Sequence, residues 1–489
     1  MNFYKHQKSH FPLFLGTLLV LSCNRQPKTI DVAVPSHISR PSVTETKPIY
    51  APQTPEKTIK SISVPEGYKL ELVASEPMIE EPVAISWDPN GRLFVAEMRT
   101  YMQDVNGSGT DDPVSRISML VDTDGDGKMD RSTVFIDSLV LPRIILALDD
   151  RLIVGETYTH DLWSYRDTDG DGKADEKKLV YHNPDMDTRN LEHQRSGLVW
   201  NLDNWIYIAR VPVRFKFEDN KIVVDSLYDA PFSQWGIGKD DFGRLFFSIA
   251  GREIPANGFQ MNPKYGNLDL PGQLDEGFEA TWPGVITPDV QGGLKRLRKN
   301  ETLNHFTASC GQTVYRGDAL PKDMKGDLFI CEPVGRLIRR AKVSEEDGMI
   351  VLKNAYGKQE FITSNDMNFR PVNTDTGPDG CLYIVDMYRG IIQESNWTKE
   401  GSFLRPVIVE HGLDENIGRG RIYRLVHNDI QPGPQPHMLD ESTDQLVKHL
   451  CHPNGWWRDN AQKLIVLRGD KSVVPQLEAQ AMGLSLIHI

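Results

Sequence analysis

Residues 88–97 carry the pattern Asp88-Pro-Asn-Gly-Arg-Leu-Phe-Val-Ala-Glu97, in which a polar turn leads into an apolar strand and a final charged residue. Aromatic and β-branched residues bounded by Gly, Asp and Asn are typical of strands. Six copies of this layout in series predict an all-β fold, a six-bladed β-propeller over residues 61–430, better than a pair of β-sandwiches does. The copies end at Glu97, Glu156, Arg210, Ile249, Glu332 and Asp386.

The charged ends of these strands are the first candidates for a functional site. If the six strands line the axial channel, their ends gather four carboxylates and one guanidinium at its mouth. Such a cluster is costly unless cations or buried partners compensate it, and Arg99, Arg336 and Arg389 follow the strands closely. Two interpretations stay open: a structural ring of ion pairs, and a substrate or metal site.

An acidic phrase occurs twice, as Asp122-Thr-Asp-Gly-Asp-Gly-Lys-Met-Asp130 and as Asp167-Thr-Asp-Gly-Asp-Gly-Lys-Ala-Asp175. Oxygen side chains at positions 1, 3, 5 and 9, with Gly at position 6, match a calcium loop. Position 12 is Thr133 or Lys178 rather than glutamate, so the loops resemble the hairpin calcium loops of integrin-type propellers. Solvated acidic turns are the alternative. The predicted calcium ligands are Asp122, Asp124, Asp126, Asp130, Asp167, Asp169, Asp171 and Asp175.

The N-terminus predicts export. Lys5 and Lys8 precede a short apolar run that ends in Val20-Leu-Ser-Cys23, which resembles a bacterial lipobox. We expect a lipoprotein signal peptide over residues 1–23, lipidation at Cys23, and anchoring in the cell envelope, at the outer membrane or facing the periplasm. An ordinary signal peptide is the alternative. Residues 24–60, rich in Pro, Thr, Ser and Lys, are predicted to form a disordered tether.

Composition limits the partners of the chain. The 489 residues carry a formal net charge of -13, with Lys and Arg scattered, which argues against nucleic acid. No apolar stretch is long enough for a mature membrane-spanning helix, so membrane contact is expected through the lipid anchor alone. Beyond the lipobox, the cysteines are Cys310, Cys331, Cys381 and Cys451. A Cys310–Cys331 disulfide and buried free thiols both stay open.

From about residue 437 the pattern becomes helical. Segments 446–450 and 461–467 predict two short amphipathic helices, separated by Pro453-Asn-Gly455. They resemble the start of a HEAT-type helical repeat over residues 438–482. Such arrays need several units to be stable, so we expect this one to be truncated.

His193 is the candidate catalytic base, because an imidazole titrates near neutrality; a hydrogen-bonding loop histidine is the simpler alternative. It precedes the third repeated strand and should lie near the axis. The stretch His193-Gln-Arg-Ser-Gly-Leu-Val199, with the strand Ile206-Tyr-Ile208, resembles the soluble pyrroloquinoline quinone (PQQ)-dependent sugar dehydrogenases, which are six-bladed propellers. The resemblance implies that His193 removes a sugar hydroxyl proton while hydride passes to the quinone.

Longer phrases resemble large secreted bacterial proteins described as membrane-bound dehydrogenase-like, often fused to HEAT repeats and a c-type haem domain. They include Val64-Pro-Glu-Gly67, Cys331-Glu-Pro-Val334, Asp386-Met-Tyr-Arg-Gly390 and the two acidic loops. One feature departs from the sugar dehydrogenases, which place an Arg-Asn pair ahead of the fourth repeated strand, where this chain has Phe232-Ser-Gln-Trp-Gly-Ile237. A quinone with three carboxylates needs several cations. The candidate cofactor-binding residues are Arg210, Arg252, Arg370 and Arg389.

The leading hypothesis is an exported lipoprotein dehydrogenase that oxidises a sugar or related alcohol with a quinone-type cofactor. His193 is the predicted base, Arg210 and Asp386 are the further catalytic candidates, and the predicted cofactors are calcium and PQQ. Because the chain has no haem attachment motif, the electron acceptor is expected on a missing segment or on another protein, such as a cytochrome c. The alternatives are a non-catalytic carbohydrate-binding propeller and a surface scaffold.

Overall fold

A computed structural model describes residues 47–188, 190–227, 235–248, 256–259, 267–268, 286–346, 349–356 and 359–483. Cys23 and Arg252 lie outside these ranges, as does Ile249. None of the described helices is long and apolar enough to cross a membrane.

Short antiparallel strands dominate the first half of the chain. Helix α1 (Pro55–Ser61), β1 (Ile62–Ser63) and β2 (Tyr68–Ser75) come first. Sheet 1 holds β3 (Pro82–Trp87), β4 (Leu93–Glu97), β5 (Ser115–Val121) and β6 (Arg131–Leu139). Sheet 2 holds β7 (Ile144–Ala147), β8 (Arg151–Gly155), β9 (Leu162–Arg166) and β10 (Glu176–Tyr181). Sheet 3 holds β11 (Leu198–Trp200), β12 (Ile206–Ile208), β13 (Val213–Glu218) and β14 (Lys221–Ser226).

The second half continues the same arrangement. Sheet 4 holds β15 (Gly238–Lys239), β16 (Leu245–Ser248) and β17 (Ala256–Phe259). Sheet 5 gathers β18 (Asn267–Leu268), β19 (Cys310–Val314), β20 (Leu328–Glu332), β21 (Leu337–Glu346), β22 (Met349–Asn354) and β23 (Ile362–Ser364), with β1 at its edge. Sheet 6 holds β24 (Pro371–Thr376), β25 (Leu382–Asp386) and β26 (Arg421–His427), with β2 at its edge. The remaining helices are α2 (Leu404–His411), α3 (Thr443–His449), α4 (Gly455–Arg468) and α5 (Val474–Gly483).

The sheets turn one edge towards a common axis. Strand β3 lies against β7, β7 against β11, β19 against β15 and β24, and β24 against β3. Ser196 Oγ accepts a hydrogen bond from Gly236 N at 3.1 Å, which joins sheets 3 and 4. The chain is therefore a β-propeller, and the prediction of a mostly-β propeller is confirmed. Five of the sheets have at least four strands, whereas sheet 4 has three within the described residues, so six complete blades stay a prediction.

The structure corrects which strands face the axis. The repeated strands of the sequence are β4, β8, β12, β16, β20 and β25, and each lies second in its sheet. The strand before each of them is innermost. A second strand has a sheet partner on both sides and neighbouring sheets on both faces, so every residue of β4, β20 and β25 is buried. The repeated apolar pattern therefore marks the most buried strand, and this is not the strand that lines the channel.

The polar turn of the repeat is a side-chain-to-backbone motif. Asp88 Oδ1 accepts hydrogen bonds from Asn90 N at 3.0 Å and Arg92 N at 2.8 Å. Asp240 makes the equivalent pair with Phe242 N and Arg244 N, both at 2.9 Å. Asp closes such turns because its short carboxylate reaches backbone N–H groups two to four residues ahead.

The carboxylates that end the second strands brace the innermost strands. Glu97 accepts a hydrogen bond from Glu80 N at 2.7 Å, and Glu156 accepts one from Val140 N at 2.6 Å. Each donor lies just before an innermost strand. Glu332 and Asp386 do the same for β19 and β24. We call Glu97, Glu156, Glu332 and Asp386 the bracing carboxylates; between the two interpretations of the charged ring, their contacts favour the structural one.

The segment before the propeller departs from the predicted tether. Residues 47–60 of the predicted tether are described, and they pack on sheets 5 and 6. Thr58 is fully buried, and its hydroxyl lies 3.2 Å from both Asp366 Oδ2 and the Tyr388 hydroxyl. Strand β2 then pairs antiparallel with β26, from Tyr68 opposite His427 to Ser75 opposite Arg421. The N-terminal strand thus completes the last sheet, a contact that composition alone does not reveal.

The C-terminal end is helical as predicted, but a HEAT repeat array is not shown. Helix α3 begins with a capping box in which Ser442 and Gln445 satisfy each other's backbone N–H groups. Helix α4 lies on the propeller itself: the Trp457 indole N–H donates to Pro378 O at 2.8 Å. The four described cysteines are free thiols, with Cys310 opposite Cys331 in β19 and β20.

Candidate functional site

A cavity of about 260 Å³ opens where the innermost strands begin. We call it the front cavity. Its walls come from residues at or just before the starts of β3, β7, β11, β15, β19 and β24, together with loops 291–296 and 387–397. The lining includes Val83, Tyr101, Arg143, Glu192, His193, Trp235, Gln291, Arg296, Thr307, Cys310, Val372, Met387, Gln393 and Trp397.

His193 lies on the wall of the front cavity. It ends a short 3-10 helix, Leu191–His193, whose N-cap Asn190 accepts a hydrogen bond from Glu192 N at 2.8 Å. This cap fixes the helix directly before β11, so the imidazole is held at the mouth of the channel. The position is the one expected from sequence. The role of His193 as a base stays a prediction.

Glu192 and Glu394 form a carboxyl pair beside His193. Glu192 Oε1 accepts a hydrogen bond from Glu394 N at 2.9 Å, and Glu394 Oε1 accepts one from Leu191 N at 2.7 Å. Burial, reinforced by the charge of Glu394, raises the pKa of Glu192 to about 8. The Glu192 carboxyl is therefore protonated at neutral pH and can donate a hydrogen bond to a ligand.

Arg143 brings a cation without a contacting carboxylate to the cavity. Its guanidinium donates to Thr157 Oγ1 at 2.8 Å and to Leu191 O at 2.7 Å, and it stacks on Trp235 with 4.8 Å to the ring centroid. Within the described residues, no carboxylate lies within 4.0 Å of it, and the charge of Glu394 acts on it only from farther away. Burial lowers the pKa of Arg143 to about 10. A buried guanidinium without a counter-ion is costly, and a bound anion would offset that cost.

Arg296 adds a second cation to the cavity wall. Its guanidinium lies 5.7 Å from the ring centroid of Trp397, and burial lowers its pKa. In the described part of the chain it has no carboxylate within 4.0 Å. With Tyr101 and Trp235, the cavity therefore combines two cations with three aromatic side chains. Such a wall suits a planar, anionic ligand.

The structure places the predicted cofactor arginines elsewhere. Arg370 is fully buried and bonds to Asp289 at 2.6 Å and to three backbone carbonyls. Arg389 pairs with Glu81 at 2.7 Å, also in the interior. These guanidinium groups are occupied by internal partners, so their placement on a cofactor site is corrected. Arg252 lies outside the described residues.

The two other catalytic candidates do not line the front cavity either. Asp386 is fully buried behind it, where it accepts hydrogen bonds from Arg370 N at 2.8 Å and Tyr388 N at 2.9 Å. Burial raises its pKa to about 7. Arg210 follows β12 in a left-handed conformation with φ 75° and is half-buried. Their position at the ends of second strands explains why neither reaches the cavity.

Sequence reasoning missed Arg143, Arg296 and the Glu192–Glu394 pair. A usable signal was present: Arg143 stands directly before β7, as His193 stands near the start of β11. A search for polar residues ahead of each innermost strand would have found Arg143 as well as His193. Such a search needs the innermost strands to be identified first, and the repeated sequence pattern marks the second strands instead.

The acidic loops lie at the tips of two outer hairpins. In the first loop, Asp122 accepts hydrogen bonds from Gly125 N at 2.7 Å and Gly127 N at 2.8 Å, so the chain curls around this carboxylate. Asp167 does the same in the second loop. Oxygen atoms of Asp122, Asp124 and Asp130, and of Asp167, Asp169 and Asp171, lie within 4.8 Å of one another. This donor set suits calcium, which binds several carboxylate oxygens.

Together the fold and the cavity define a β-propeller with a cationic and aromatic pocket at the axial mouth. The chain belongs to the family of a domain of unknown function, DUF7133, whose model matches residues 54–429. No curated protein matches the chain.

Several solved structures are similar to this chain at low identity. A glucose dehydrogenase-type putative oxidoreductase from Thermus thermophilus is 15% identical with TM-score 0.43, over 74% of this chain and 100% of that one. The soluble aldose sugar dehydrogenase of Escherichia coli, in its apo-form, is 13% identical with TM-score 0.43, over 74% and 100%. A luciferin-regenerating enzyme is 10% identical with TM-score 0.43, over 76% and 99%. Similarity this distant defines no activity for the chain.

Proposed function

We propose that the chain is a dehydrogenase-like propeller that oxidises a sugar or related alcohol in the front cavity. One observation carries the proposal: His193 shares a single axial cavity with two guanidinium groups, Arg143 and Arg296, that lack carboxylate partners within the described residues. A proton acceptor next to an anion-binding wall is what oxidation with an anionic cofactor requires.

His193 accepts the proton of the substrate hydroxyl in this proposal. The neighbouring Glu192 carboxyl, protonated at neutral pH, donates a hydrogen bond to a ligand oxygen and adds no competing negative charge. Apolar residues such as Val83, Val372 and Met387 exclude water from the floor of the cavity. The chain thus supplies the base, the orientation and a dry pocket.

The cavity fits the chemistry of a quinone-type cofactor such as PQQ. Arg143 and Arg296 would hold its carboxylates, and Trp235 and Trp397 would lie against its planar rings. Such a quinone, when bound, supplies the hydride acceptor that no side chain offers. This assignment takes the place of Arg210, Arg370 and Arg389, whereas Arg252 lies outside the described residues.

Binding and turnover test the proposal separately. Titration of the full chain with PQQ, followed by tryptophan fluorescence, should show saturable binding that Arg143→Met weakens at least tenfold. The matched control Arg131→Met removes an exposed guanidinium and should bind like wild type. Dye-linked oxidation of a panel of sugars and alcohols, with PQQ and calcium, should then be lost in His193→Ala with binding retained. Unchanged turnover would exclude His193 as the base, and a chain that binds no quinone and reduces no dye would exclude the enzyme.

A non-catalytic carbohydrate-binding propeller is the second candidate. It is favoured by the aromatic walls, Tyr101, Trp235 and Trp397, and by the absence of Arg210 and Asp386 from the described lining. Saturable binding of a sugar without any dye reduction would select it.

We further propose that sheet 4 is a blade and brings the number of blades to six, since β15 contacts β19 as the other innermost strands contact one another.

Export, lipidation at Cys23 and anchoring in the cell envelope are proposed from the lipobox-like Val20-Leu-Ser-Cys23. Calcium in the acidic loops is proposed from their donor sets, and a cytochrome c acceptor from the lack of a haem motif.

A further inference from the structure

A second cavity occupies the axis behind the front one. It measures about 200 Å³ and is lined by all six innermost strands, β3, β7, β11, β15, β19 and β24. Arg143 and Trp235, stacked on each other, line both cavities and separate them. Helix α4 covers the far end with Trp456, Asp459, Asn460 and Lys463. We call this space the rear chamber.

Polar contacts with several sheets fix helix α4 over the rear chamber. Asn454 Nδ2 donates to Gly377 O at 3.0 Å and to Pro378 O at 3.1 Å, at sheet 6. At sheet 3, Gln462 Nε2 donates to Asn204 Oδ1 at 2.7 Å. At sheet 2, Lys463 Nζ donates to Ala147 O at 2.6 Å. The helix therefore closes the chamber with side chains of defined position.

Cations outnumber ionised carboxylates on the chamber wall. Asp459 is shared by Lys239, at 3.1 Å, and Arg316, at 2.6 Å, and Arg316 also pairs with Asp241 at 2.5 Å. Lys463 is buried, and within the described residues no carboxylate lies within 4.0 Å of its Nζ. Burial lowers the pKa of Lys463 to about 8, so it still carries its charge at neutral pH. This buried ammonium is left without a carboxylate in contact, and the charge of Asp459 reaches it only from beyond 4.0 Å.

Two further groups make the chamber rich in hydrogen-bond donors. Asp375 receives a hydrogen bond from Thr376 N at 2.8 Å and has no cation within 4.0 Å among the described residues. Burial raises its pKa to about 7, so near neutrality much of it is a hydroxyl donor rather than an anion. The Trp87 indole N–H is buried without a partner in the described part of the chain.

We propose that the rear chamber binds a small monovalent anion, with Lys463 Nζ as its main ligand. An anion supplies the negative charge that no contacting carboxylate provides for Lys463. It also accepts hydrogen bonds from the surrounding donors. The single ammonium without a contacting carboxylate and the cover by α4 favour a monovalent anion such as a halide or formate, which would share the chamber of about 200 Å³ with water. The chamber shares Arg143 and Trp235 with the front cavity, but anion binding at Lys463 does not depend on the proposed oxidation there.

Bromide tests the proposal directly, because it scatters anomalously. A crystal of the full chain soaked in sodium bromide should show an anomalous peak in hydrogen-bond contact with Lys463 Nζ. In solution, bromide or formate should raise the Tm by about 2 °C or more over a bulky sulfonate at equal ionic strength. The variant Lys463→Met, which keeps the aliphatic stem, should lose this shift. The control Lys471→Met, at an exposed lysine, should keep it.

The outcomes separate the alternatives. No bromide peak in the chamber, or an equal Tm response in wild type and Lys463→Met, would overturn the proposal and leave ordered water as the occupant. If Lys463→Met does not fold, the anomalous map of the wild-type protein decides alone. A bromide peak with no PQQ binding would support this site while the proposed function fails.

Discussion

The bracing carboxylates have the same role in several sheets: each accepts a hydrogen bond from the backbone just before an innermost strand. Glu332 has no cation within 4.0 Å among the described residues; backbone N–H groups of Thr307, at 3.0 Å, and Ala308, at 2.8 Å, hold its carboxylate instead. Burial outweighs these hydrogen bonds and raises the pKa of Glu332 to about 7. Such a residue positions the start of an innermost strand, at a cost that depends on pH.

Replacing Glu332 by Gln should remove this pH dependence. The folded carboxyl keeps its proton up to about pH 7, whereas the unfolded one loses it near its ordinary pKa. Wild-type stability from this residue therefore falls between about pH 4.5 and pH 7, by about 1.4 kcal/mol per pH unit. Urea unfolding at pH 5 and pH 7 should show that the free energy of unfolding of Glu332→Gln increases relative to that of the wild type as pH rises. A constant difference at both pH values would contradict the assignment.

Glu192 should make ligand binding sensitive to pH. Its pKa of about 8 means that the carboxyl is neutral below pH 8 and negative above it. A negative charge beside an anionic ligand weakens binding, by about tenfold for one closely placed charge. PQQ titrations at pH 7 and pH 9 should show this loss in the wild type and a smaller one in Glu192→Gln. The control Glu66→Gln, at an exposed site, should behave like wild type; an equal loss in Glu192→Gln would exclude Glu192 as the cause.

At the scale of elements, the two acidic loops lie at the tips of hairpins. Both acidic loops join the outer strands of a sheet, β5 to β6 and β9 to β10. The first loop also reaches sheet 6, because Arg424 Nη2 donates to Asp126 O at 3.1 Å. A cation in this loop would therefore stabilise a contact between sheets as well as a hairpin tip.

Calcium should raise the stability of the folded chain. A ligand at 100 times its Kd adds about 2.7 kcal/mol per site that binds only the folded state. Calorimetry of the full chain should show a higher Tm in calcium than in EDTA, and the double variant Asp122→Asn, Asp167→Asn should lose the difference. Asp429→Asn, at an exposed aspartate outside the loops, is the matched control and should retain it. Equal Tm values in calcium and EDTA for the wild type would leave the loops as solvated acidic turns.

At the scale of the whole molecule, the sheets meet at close backbone contacts near the axis. Gly311 N donates to Trp235 O of the sheet 4 side at 3.0 Å, and on the other side a Cβ at position 311 would collide with the backbone carbonyl of Val372. Its φ of +55° also disfavours other residues. Three neighbouring sheets therefore converge on one residue without a side chain.

Gly311→Ala should destabilise the propeller far more than a conformational penalty alone. The matched control is Gly326→Ala in the same sheet, where φ is +87° and no atom lies within 4 Å of the added Cβ. The control should cost about 1–2 kcal/mol for the left-handed backbone, whereas Gly311→Ala adds a clash with backbone that cannot rotate away. Urea unfolding of both variants measures the difference. Equal losses would show that the sheets can move apart at this point.

Much of the fold was predictable, and the departures arise where residues far apart in the sequence are in contact. Turn residues such as Asp88 and Asp240 bond to backbone two and four residues ahead, so a sequence pattern reveals them. The repeat also located the buried second strands. The composition of residues 47–60 did not indicate that this segment packs on the propeller, because Thr58 is held by Asp366 and Tyr388, more than 300 residues away. His193 was found because its stretch resembles the sugar dehydrogenases, whereas no such resemblance marked Arg143.

The sequence by itself determined the strand repeat, its Asp-closed turns and the two acidic loops, since each depends on residues within about ten positions of one another. Tertiary structure decided which strand faces the axis and which charges stay uncompensated. Arg370 pairs with Asp289, 81 residues away, while Arg143 has no carboxylate within 4.0 Å among the described residues. Whether a buried charge is free to bind a ligand depends on what packs around it, and distant sheets supply those neighbours.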